Sequence, residues 1–522
     1  MCGLTGIALA DPRGRVDRDR LAAMTRALAH RGPDDEELYL RANVGLGFRR
    51  VSIIDLAGGK QPILNETSDI AVLANAEIYN YRKLRQELLL RGHSFRTGSD
   101  VESIVHLYED KGALLVDDLV GMFALAVVDF RSELPRVLLA RDRLGIKPLY
   151  WAETKAGLWW GSEPKALLAS GAFARELAPR ALLDYFVQGY VGGEHSAWVG
   201  IERLPPGCVL EWRPGAPASV RRYWDLPADG LRGRASDGEV LEWLDRVVAD
   251  HLVADVPLGA FLSGGIDSTA VVSSMAAASA RPIVACSVGF REKSHDELGL
   301  ARATAARLGA ELHTRVLEPD PALALHTLPW FFDEPHADPS NVPTYVVSRM
   351  AREHVTVALS GDGGDEVFAG YRRYVHDEAE RAVRARIGTG GRQLAGSLGR
   401  LYPKLDWAPQ PLRAKTFLCN LAADPARAYW QSVSQLSREQ ALALLAPAVR
   451  ELVGSHDPFD AFAEHYHRPR NVDALYRAQY ADFHTNLPDR ILAKVDRASM
   501  AVSLEARPPL LDHRFVERFA PL

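Results

Sequence analysis

Cysteine is scarce in this chain. There are four in 522 residues, Cys2, Cys208, Cys286 and Cys419, widely scattered and without paired spacing. That argues against a disulfide framework or a zinc site. No apolar run approaches the roughly 18 residues of a membrane-spanning helix. The start, Met1-Cys2-Gly3-Leu4-Thr5-Gly6, lacks the basic region and apolar stretch of a signal peptide. A soluble cytoplasmic protein with no membrane partner is expected. Net charge is −5, so there is no bulk positive charge to hold a nucleic acid. Phosphate binding would need a dedicated loop. Internal repeats are also missing.

What is present is enough chain for at least two domains. Short strands and helices alternate over the first ~215 residues. Apolar runs at Ile70 to Ala74, Met122 to Phe130 and Val137 to Ala140 read as strands, and Tyr81 to Arg91 has helical spacing. Residues 216–236 are rich in Pro, Gly and Ala and read as a linker between domains at 1–215 and 237–522. From Asp237 the rhythm becomes strand, loop, helix. Leu258 to Leu262, Ile283 to Phe290 and Val355 to Leu359 are strand candidates, and Glu297 to Leu308 is a helix ended by Gly309. This predicts an α/β chain whose second domain is a doubly wound, mainly parallel sheet with ligands at the carboxyl ends of its strands. After Tyr374 the pattern is mostly helical.

Cys2 becomes the first residue if Met1 is removed. A thiol there can use its own α-amino group as base, since that amine titrates near ~8. Other polar residues keep it company: the turn His30-Arg31-Gly32-Pro33-Asp34, the run Arg50-Val51-Ser52-Ile53-Ile54-Asp55, Asn75-Ala76-Glu77-Ile78 after a strand, and Gly98-Ser99-Asp100 before a helix. Glutamine offers a carboxylate, an ammonium and a carboxamide. Arg50 suits the first through a bidentate contact, Glu77 and Asp100 suit the second, and Asn75 with a nearby backbone N–H suits the oxyanion. The set resembles the class II glutamine amidotransferases over residues 2 to 170. That resemblance implies an Ntn-hydrolase αββα sandwich and Cys2 as nucleophile. It implies an oxyanion hole from Asn75 and Ala76, and a glutamine site formed by Arg50, Val51, Ser52, Ile53, Ile54, Asn75, Ala76, Glu77 and Asp100. The family usually has glycine where this chain has Ala76. The site therefore survives only if the backbone there needs no positive φ.

Ser263-Gly264-Gly265-Ile266-Asp267-Ser268 lies between a buried strand and a helix. The glycines let backbone approach phosphate oxygens, the helix N-terminus is partly positive, and both serines can donate. Asp267 in an anion site calls for a cation, and it reads as a magnesium ligand. It is not the kinase and GTPase P-loop, because no Gly-Lys-Ser/Thr follows. A second acidic, Gly-rich loop, Ser360-Gly361-Asp362-Gly363-Gly364-Asp365-Glu366, follows the Val355 strand, and Asp365 completes the expected metal pair with Asp267. Together the loops resemble the ATP pyrophosphatase domain of asparagine synthetases and β-lactam synthetases, an adenine nucleotide α-hydrolase-like fold. The resemblance implies ATP and Mg2+ as cofactors. It also implies nucleotide contacts from Leu262, Ser263, Gly264, Gly265, Asp267, Ser268, Val288, Ser360 and Gly361, and places Asp362 beside an acyl-adenylate. The β-lactam enzymes lack the working N-terminal cysteine, so Cys2 favours the amide-forming branch.

Asp333 to Ser340 resembles the family's acceptor-pocket segment. Leu487-Pro488, Lys494 to Met500 and Glu505 to Pro508 resemble its C-terminal signature. By chemistry alone, Lys494 and Arg497 serve equally well as structural ion pairs. Tyr402 to Pro409 with Leu412 to Thr416 resembles a branch found with exosortase and exopolysaccharide systems, in which the acceptor need not be aspartate. The chain stops at Phe519-Ala520-Pro521-Leu522, before the lysine-containing segment that family members carry, so weak adenylation is expected. The expected reaction converts aspartate, glutamine and ATP to asparagine, glutamate, AMP and diphosphate, with ammonia crossing an apolar interdomain passage. Another carboxylate such as a saccharide, or a non-catalytic or glutaminase-only homologue, remain the alternatives. The partners expected are small molecules, with a homodimer as the candidate assembly.

Overall fold

A computed structural model describes the chain apart from residues 1, 230–232, 293–295, 319, 404–406, 408, 410–413 and 521–522. Met1, part of the expected linker, and Lys404, Leu405, Asp406, Ala408, Leu412, Arg413, Pro521 and Leu522 therefore lie outside the described residues.

The first strands are β1 (Gly3–Leu9), β2 (Asp35–Arg41), β3 (Val44–Arg50), β4 (Ile63–Leu64), β5 (Ile70–Ile78) and β6 (Gly121–Asp129). They are followed by β7 (Arg136–Arg141), β8 (Tyr150–Thr154), β9 (Gly157–Gly161), β10 (Glu202–Arg203), β11 (Cys208–Arg213) and β12 (Ala216–Arg222). Two six-stranded sheets result, in the orders β10-β8-β9-β1-β3-β2 and β12-β11-β7-β6-β5-β4. Their paired neighbours run antiparallel.

Strand alternation explains the layering. On β5, Ala71 and Leu73 enter a core shared with Leu4, Phe48 and Trp160 of the other sheet, while Ile70, Val72 and Ala74 pack under helices Tyr81–Leu90 and Glu102–Lys111. On β6, Ala124 and Ala126 take the first face and Phe123, Leu125 and Val127 the second. With both faces covered, these strands read as continuous apolar runs rather than alternating ones. Helices Arg18–Arg26 and Pro164–Ala169 cover the opposite sheet through Leu21, Met24 and Leu167. The result is an αββα sandwich, as the resemblance implied.

The later strands, β13 (Leu258–Phe261), β14 (Val284–Phe290), β15 (Glu311–Leu317), β16 (Val357–Leu359) and β17 (Glu505–Arg507), form one parallel sheet in the order β15-β14-β13-β16-β17. The chain turns outward on both sides of β13. The switch point therefore lies between the carboxyl ends of β13 and β16, the crevice such sheets offer to ligands. Ser263 follows β13 there and Ser360 follows β16. Among the described residues, no helix is long and apolar enough to cross a membrane.

Two expectations are corrected. Residues 216–222, assigned to the linker, are β12 and pair with β11. The Gly- and Pro-rich signal belongs to a hairpin turn at Gly215 (φ 84°) and to an edge strand, which tolerates Pro217. Asn75 to Ile78 do not follow a strand but continue β5, paired with Ala124 to Gly121 of β6. The region after Tyr374 is mostly helical, as expected, and also contains β17. Its Glu-Ala-Arg sequence hides a strand because both charges are buried.

Candidate active site

Asn75 and Glu77 continue the Ala71 and Leu73 face of β5, the face turned toward the other sheet and Cys2 at the head of β1. Cys2 N–H donates to Asn75 Oδ1 at 2.8 Å, and Cys2 Sγ lies 3.8 Å from the Val51 carbonyl. Asn75 is wholly buried and its Nδ2 has no hydrogen-bond partner. An orphaned buried donor beside a thiol is a group waiting for an acceptor. Ala76 sits in regular antiparallel pairing opposite Phe123 and is not among the residues with positive φ, so alanine meets the condition set for it. Burial pushes the Cys2 thiol above its ordinary value, with Glu505 adding to this and Arg50 opposing it. Such a thiol needs a base to become a nucleophile.

The other expected glutamine residues surround this point. Asp100 Oδ2 accepts the Ile78 N–H at 2.9 Å, fixing Asp100 near Glu77. Burial pushes Asp100 up to about 6. Arg50 donates to the carbonyls of Ile54, Asp55 and Leu56, engaging three of its five N–H groups. Ser52 N–H donates to Asp34 Oδ2. The side chains of Val51, Ile53 and Ile54 pack against Val357 and Met500 of the parallel-sheet part, so only their backbone can face a ligand.

Much of what joins the two parts was not read from the sequence. Arg31, wholly buried, donates to Cys2 O at 3.2 Å and holds Asp496 through two bonds of 2.8 Å. Glu163 takes Arg31 and Arg497 at 2.7 Å each and Lys165 at 3.0 Å. Burial alone would raise Glu163, but His30, Lys165, Arg497 and Arg31 hold it well below the usual carboxylate range. Arg507 Nη2 meets Glu77 Oε2 at 2.8 Å. Gly32 packs so tightly that a Cβ there would come 2.3 Å from the Arg49 carbonyl carbon. In sequence these residues are isolated charges with nothing to show that they meet.

At the sheet switch point, a cavity of about 350 Å³ is lined by Ser263, Gly265, Asp267, Ser268, Ser360, Gly361, Asp362 and Asp365 from the two loops. The loops touch. A Cβ on Gly361 would come 2.6 Å from Ser268 N, and one on Gly364 would come 2.4 Å from Asp267 Cγ. Helix Ile266–Ala278 opens at Gly265 without a side-chain cap, leaving its first N–H groups for an anion. The Ser360 hydroxyl is buried without a partner. Burial raises Asp267, and the charges of Asp365 and Asp362 raise it further. Crowded carboxylates of this kind fit a divalent cation.

Leu262, Val288 and Gly264 do not line this cavity. Leu262 is buried in the sheet–helix core and Val288 packs near Leu317. Of the two cations left open, Lys494 lines the cavity, whereas Arg497 is an ion-pair residue with Glu163. Asp333 and Glu334, expected at the acceptor pocket, bond instead to Lys165 and Arg203 of the sandwich, at 3.3 and 3.0 Å. Acidic residues suited to an acceptor site serve equally well in a contact rich in basic ones. Where an apolar passage was expected, a cavity of about 10 Å³ is lined by Lys147, Asp362 and Asp496 with Ile146, Leu492 and Val495. Lys147 comes from the sandwich, is wholly buried, and its Nζ has no hydrogen-bond partner.

Comparison with known proteins fits this two-part geometry. The asparagine synthase family model matches residues 239–522, and the glutamine amidotransferase domain model matches residues 1–224. The chain belongs to the asparagine synthase family. With it comes membership of a ligase family. Asparagine synthetase [glutamine-hydrolyzing] 1 of Bacillus subtilis is 31% identical, over 98% of this chain and 79% of its own length. Asparagine synthetase [glutamine-hydrolyzing] 2 of the same organism is 35% identical, over 71% of this chain and 52% of its own. An Arabidopsis thaliana relative, asparagine synthetase [glutamine-hydrolyzing] 3, is 32% identical over 74% and 65%. Among solved structures, the allosteric regulatory enzyme of purine biosynthesis is similar over 65% of this chain and 88% of that chain, at 15% identity and a TM-score of 0.33.

Proposed function

We propose that this protein forms an amide by moving glutamine nitrogen to an acceptor carboxylate, with a glutaminase part at residues 1–215, extended by β12, and an ATP-using part at 237–522. The reading rests most on Asn75. Its Oδ1 holds the Cys2 backbone while its buried Nδ2 is left without a partner, as an oxyanion donor should be before substrate arrives. Once Met1 is removed, the α-amino group of Cys2 takes the thiol proton. Sγ attacks the carboxamide carbon, the C–N bond breaks, and the protonated nitrogen leaves as ammonia. Water then cleaves the thioester to glutamate. Arg50 is suited to the substrate carboxylate, and Glu77 and Asp100 to its ammonium.

In the second half-reaction ATP is a substrate. The acceptor carboxylate attacks the α-phosphate, diphosphate leaves, and ammonia displaces AMP from the acyl-adenylate. The 263–268 loop and the helix N-terminus behind it suit the departing phosphates, and Lys494 in the same cavity adds a positive charge. Asp267 and Asp365 would hold Mg2+, which would offset phosphate charge. Asp362 lines both this cavity and the small one at the contact, which supports a role for it beside the acyl-adenylate. A space of 10 Å³ is about one water-sized molecule.

Aspartate is the acceptor in this reading. Diphosphate release is measured with glutamine, ATP and Mg2+ in the presence of aspartate or of sugar acids. The reading expects aspartate-dependent release matched by asparagine. Release with a sugar acid and none with aspartate would replace the acceptor, and glutamine hydrolysis alone would reduce the protein to a glutaminase.

A further inference from the structure

On the sandwich's outer helical layer lies a cluster with no part in either half-reaction. Glu66 is in the turn between β4 and β5, His93 follows helix Tyr81–Leu90, and His106 and Glu109 are one turn apart on helix Glu102–Lys111. One ligand atom from each can be chosen so that all four lie within 4.8 Å of one another. We propose that Glu66, His93, His106 and Glu109 bind a divalent first-row transition metal of the zinc type.

The argument begins with spacing. His106 Nδ1 lies 3.1 Å from Glu109 Oε2 and 3.4 Å from Glu66 Oε2, and His93 Nδ1 lies 3.6 Å from Glu66 Oε1 and from Glu109 Oε2. Zinc bonds of about 2.0–2.2 Å to nitrogen and oxygen set tetrahedral edges of about 3.3–3.6 Å. His106 and Glu109 already stand near such an edge and His93 close to it, while Glu66, which meets the two histidines through different oxygens, has to turn one oxygen inward.

The outer contacts are those that metal ligands use. His93 turns Nδ1 inward and Nε2 to Asp110 Oδ1 at 3.1 Å. His106 also turns Nδ1 inward, while its Nε2, 3.9 Å from Glu102 Oε1, makes no hydrogen bond; Glu102 is fixed by the N–H groups of Arg96 and Thr97. Asn65 Nδ2 holds the second oxygen of Glu109 at 2.8 Å, and Ser94 N–H holds Glu66 Oε1 at 2.8 Å. Phe95 packs on the His106 ring, 4.7 Å between centroids, and the His106 side chain is 1% exposed.

Charge supports the ligand class. Two neutral imidazoles and two carboxylates cancel a 2+ ion. Mixed nitrogen and oxygen donors favour zinc and its neighbours over magnesium or calcium. The scattered cysteines argue against a zinc site, and the proposal departs from that expectation because its ligands are imidazoles and carboxylates rather than thiolates. In sequence, 66, 93 and 106–109 form no spaced motif, and the four residues meet only once the turn and two helices pack. The rival is a plain cluster of histidine–carboxylate ion pairs.

The test uses the full chain, stripped with chelator and titrated with zinc against a chromophoric indicator, together with His93→Ala and Glu109→Gln. Both positions are partly exposed, so neither variant depends on emptying the core as His106→Ala would. The proposal expects one zinc per chain and at least about 100-fold weaker binding in each variant. Zinc should raise the unfolding midpoint of the wild type but not of the variants. No stoichiometric zinc on the wild type, or equal affinity in the variants, overturns the site and leaves ion pairs only.

Discussion

Arg507 Nη2 and Glu77 Oε2 lie 2.8 Å apart, joining β17 of the parallel sheet to the end of β5 in the sandwich. The Arg507 carbonyl accepts the Ser360 N–H at 2.9 Å, and its Nε holds Glu505 at 2.6 Å. One residue thus touches the carboxylate suited to glutamine's ammonium and the loop suited to ATP. The guanidinium is wholly buried and carries its charge throughout the accessible pH range, held there by Glu77 and Glu505 against the effect of burial. Arg507→Met should destabilise the protein by about 3–5 kcal/mol, because it strands buried carboxylates. Arg507→Met with Glu77→Gln should recover part of that loss, as read from urea midpoints in a double-mutant cycle. Strict additivity would show that the two do not interact.

Asn75→Asp keeps an oxygen for the Cys2 N–H and removes the Nδ2 donor. The kcat of glutamine hydrolysis should fall about 10²- to 10³-fold, with a smaller change in KM. An unchanged kcat would remove Asn75 from the oxyanion hole.

How much was legible in advance differs between the two sites. The Gly-rich loops were readable because their residues are contiguous and each follows a short apolar strand. Cys2, Asn75, Glu77 and Asp100 were readable as chemistry, but their neighbours were not. Asn75 and Glu77 read as post-strand residues because polar side chains ended an apolar run, yet the strand continues to Ile78 and uses them on its inward face. The contact was least legible. Arg31 and Asp496 are 465 positions apart, and no local pattern in either announces the other. Lys147 follows Leu144-Gly145-Ile146 in a loop and gave no signal beyond being one cation after a short apolar run.

Asp100 yields a pH dependence. Burial pushes it up to about 6, so it loses its charge as pH falls through that value. KM for glutamine should then rise about tenfold per pH unit below 6. Stability runs the other way. Free aspartate titrates near about 3.9, so the folded state binds this proton more tightly. The resulting stabilisation is complete below about 3.9 and is lost as pH rises through about 6. Asp100→Asn should abolish the acid limb in KM, bind glutamine weakly at every pH, and unfold no more easily than wild type at pH 8. A wild-type KM profile in this variant would assign the limb to another group.

Asp267→Asn and Asp365→Asn each remove one charge from the crowded loops with little change in size. Diphosphate release should drop at least about tenfold, or about 1.4 kcal/mol. Half-saturation should shift to higher Mg2+, and glutamine hydrolysis without ATP should continue. Wild-type diphosphate release in both variants would move the metal pair elsewhere.

The central claim is that one chain makes ammonia at Cys2 and uses it at the sheet switch point. It is tested most directly by Cys2→Ala, assayed for amide and diphosphate with aspartate, ATP and Mg2+, once with glutamine and once with ammonium chloride. The account predicts no glutamate and no amide from glutamine, but near wild-type amide and diphosphate from ammonium. Continued glutamine hydrolysis in this variant, or loss of the ammonium-driven reaction as well, would contradict it.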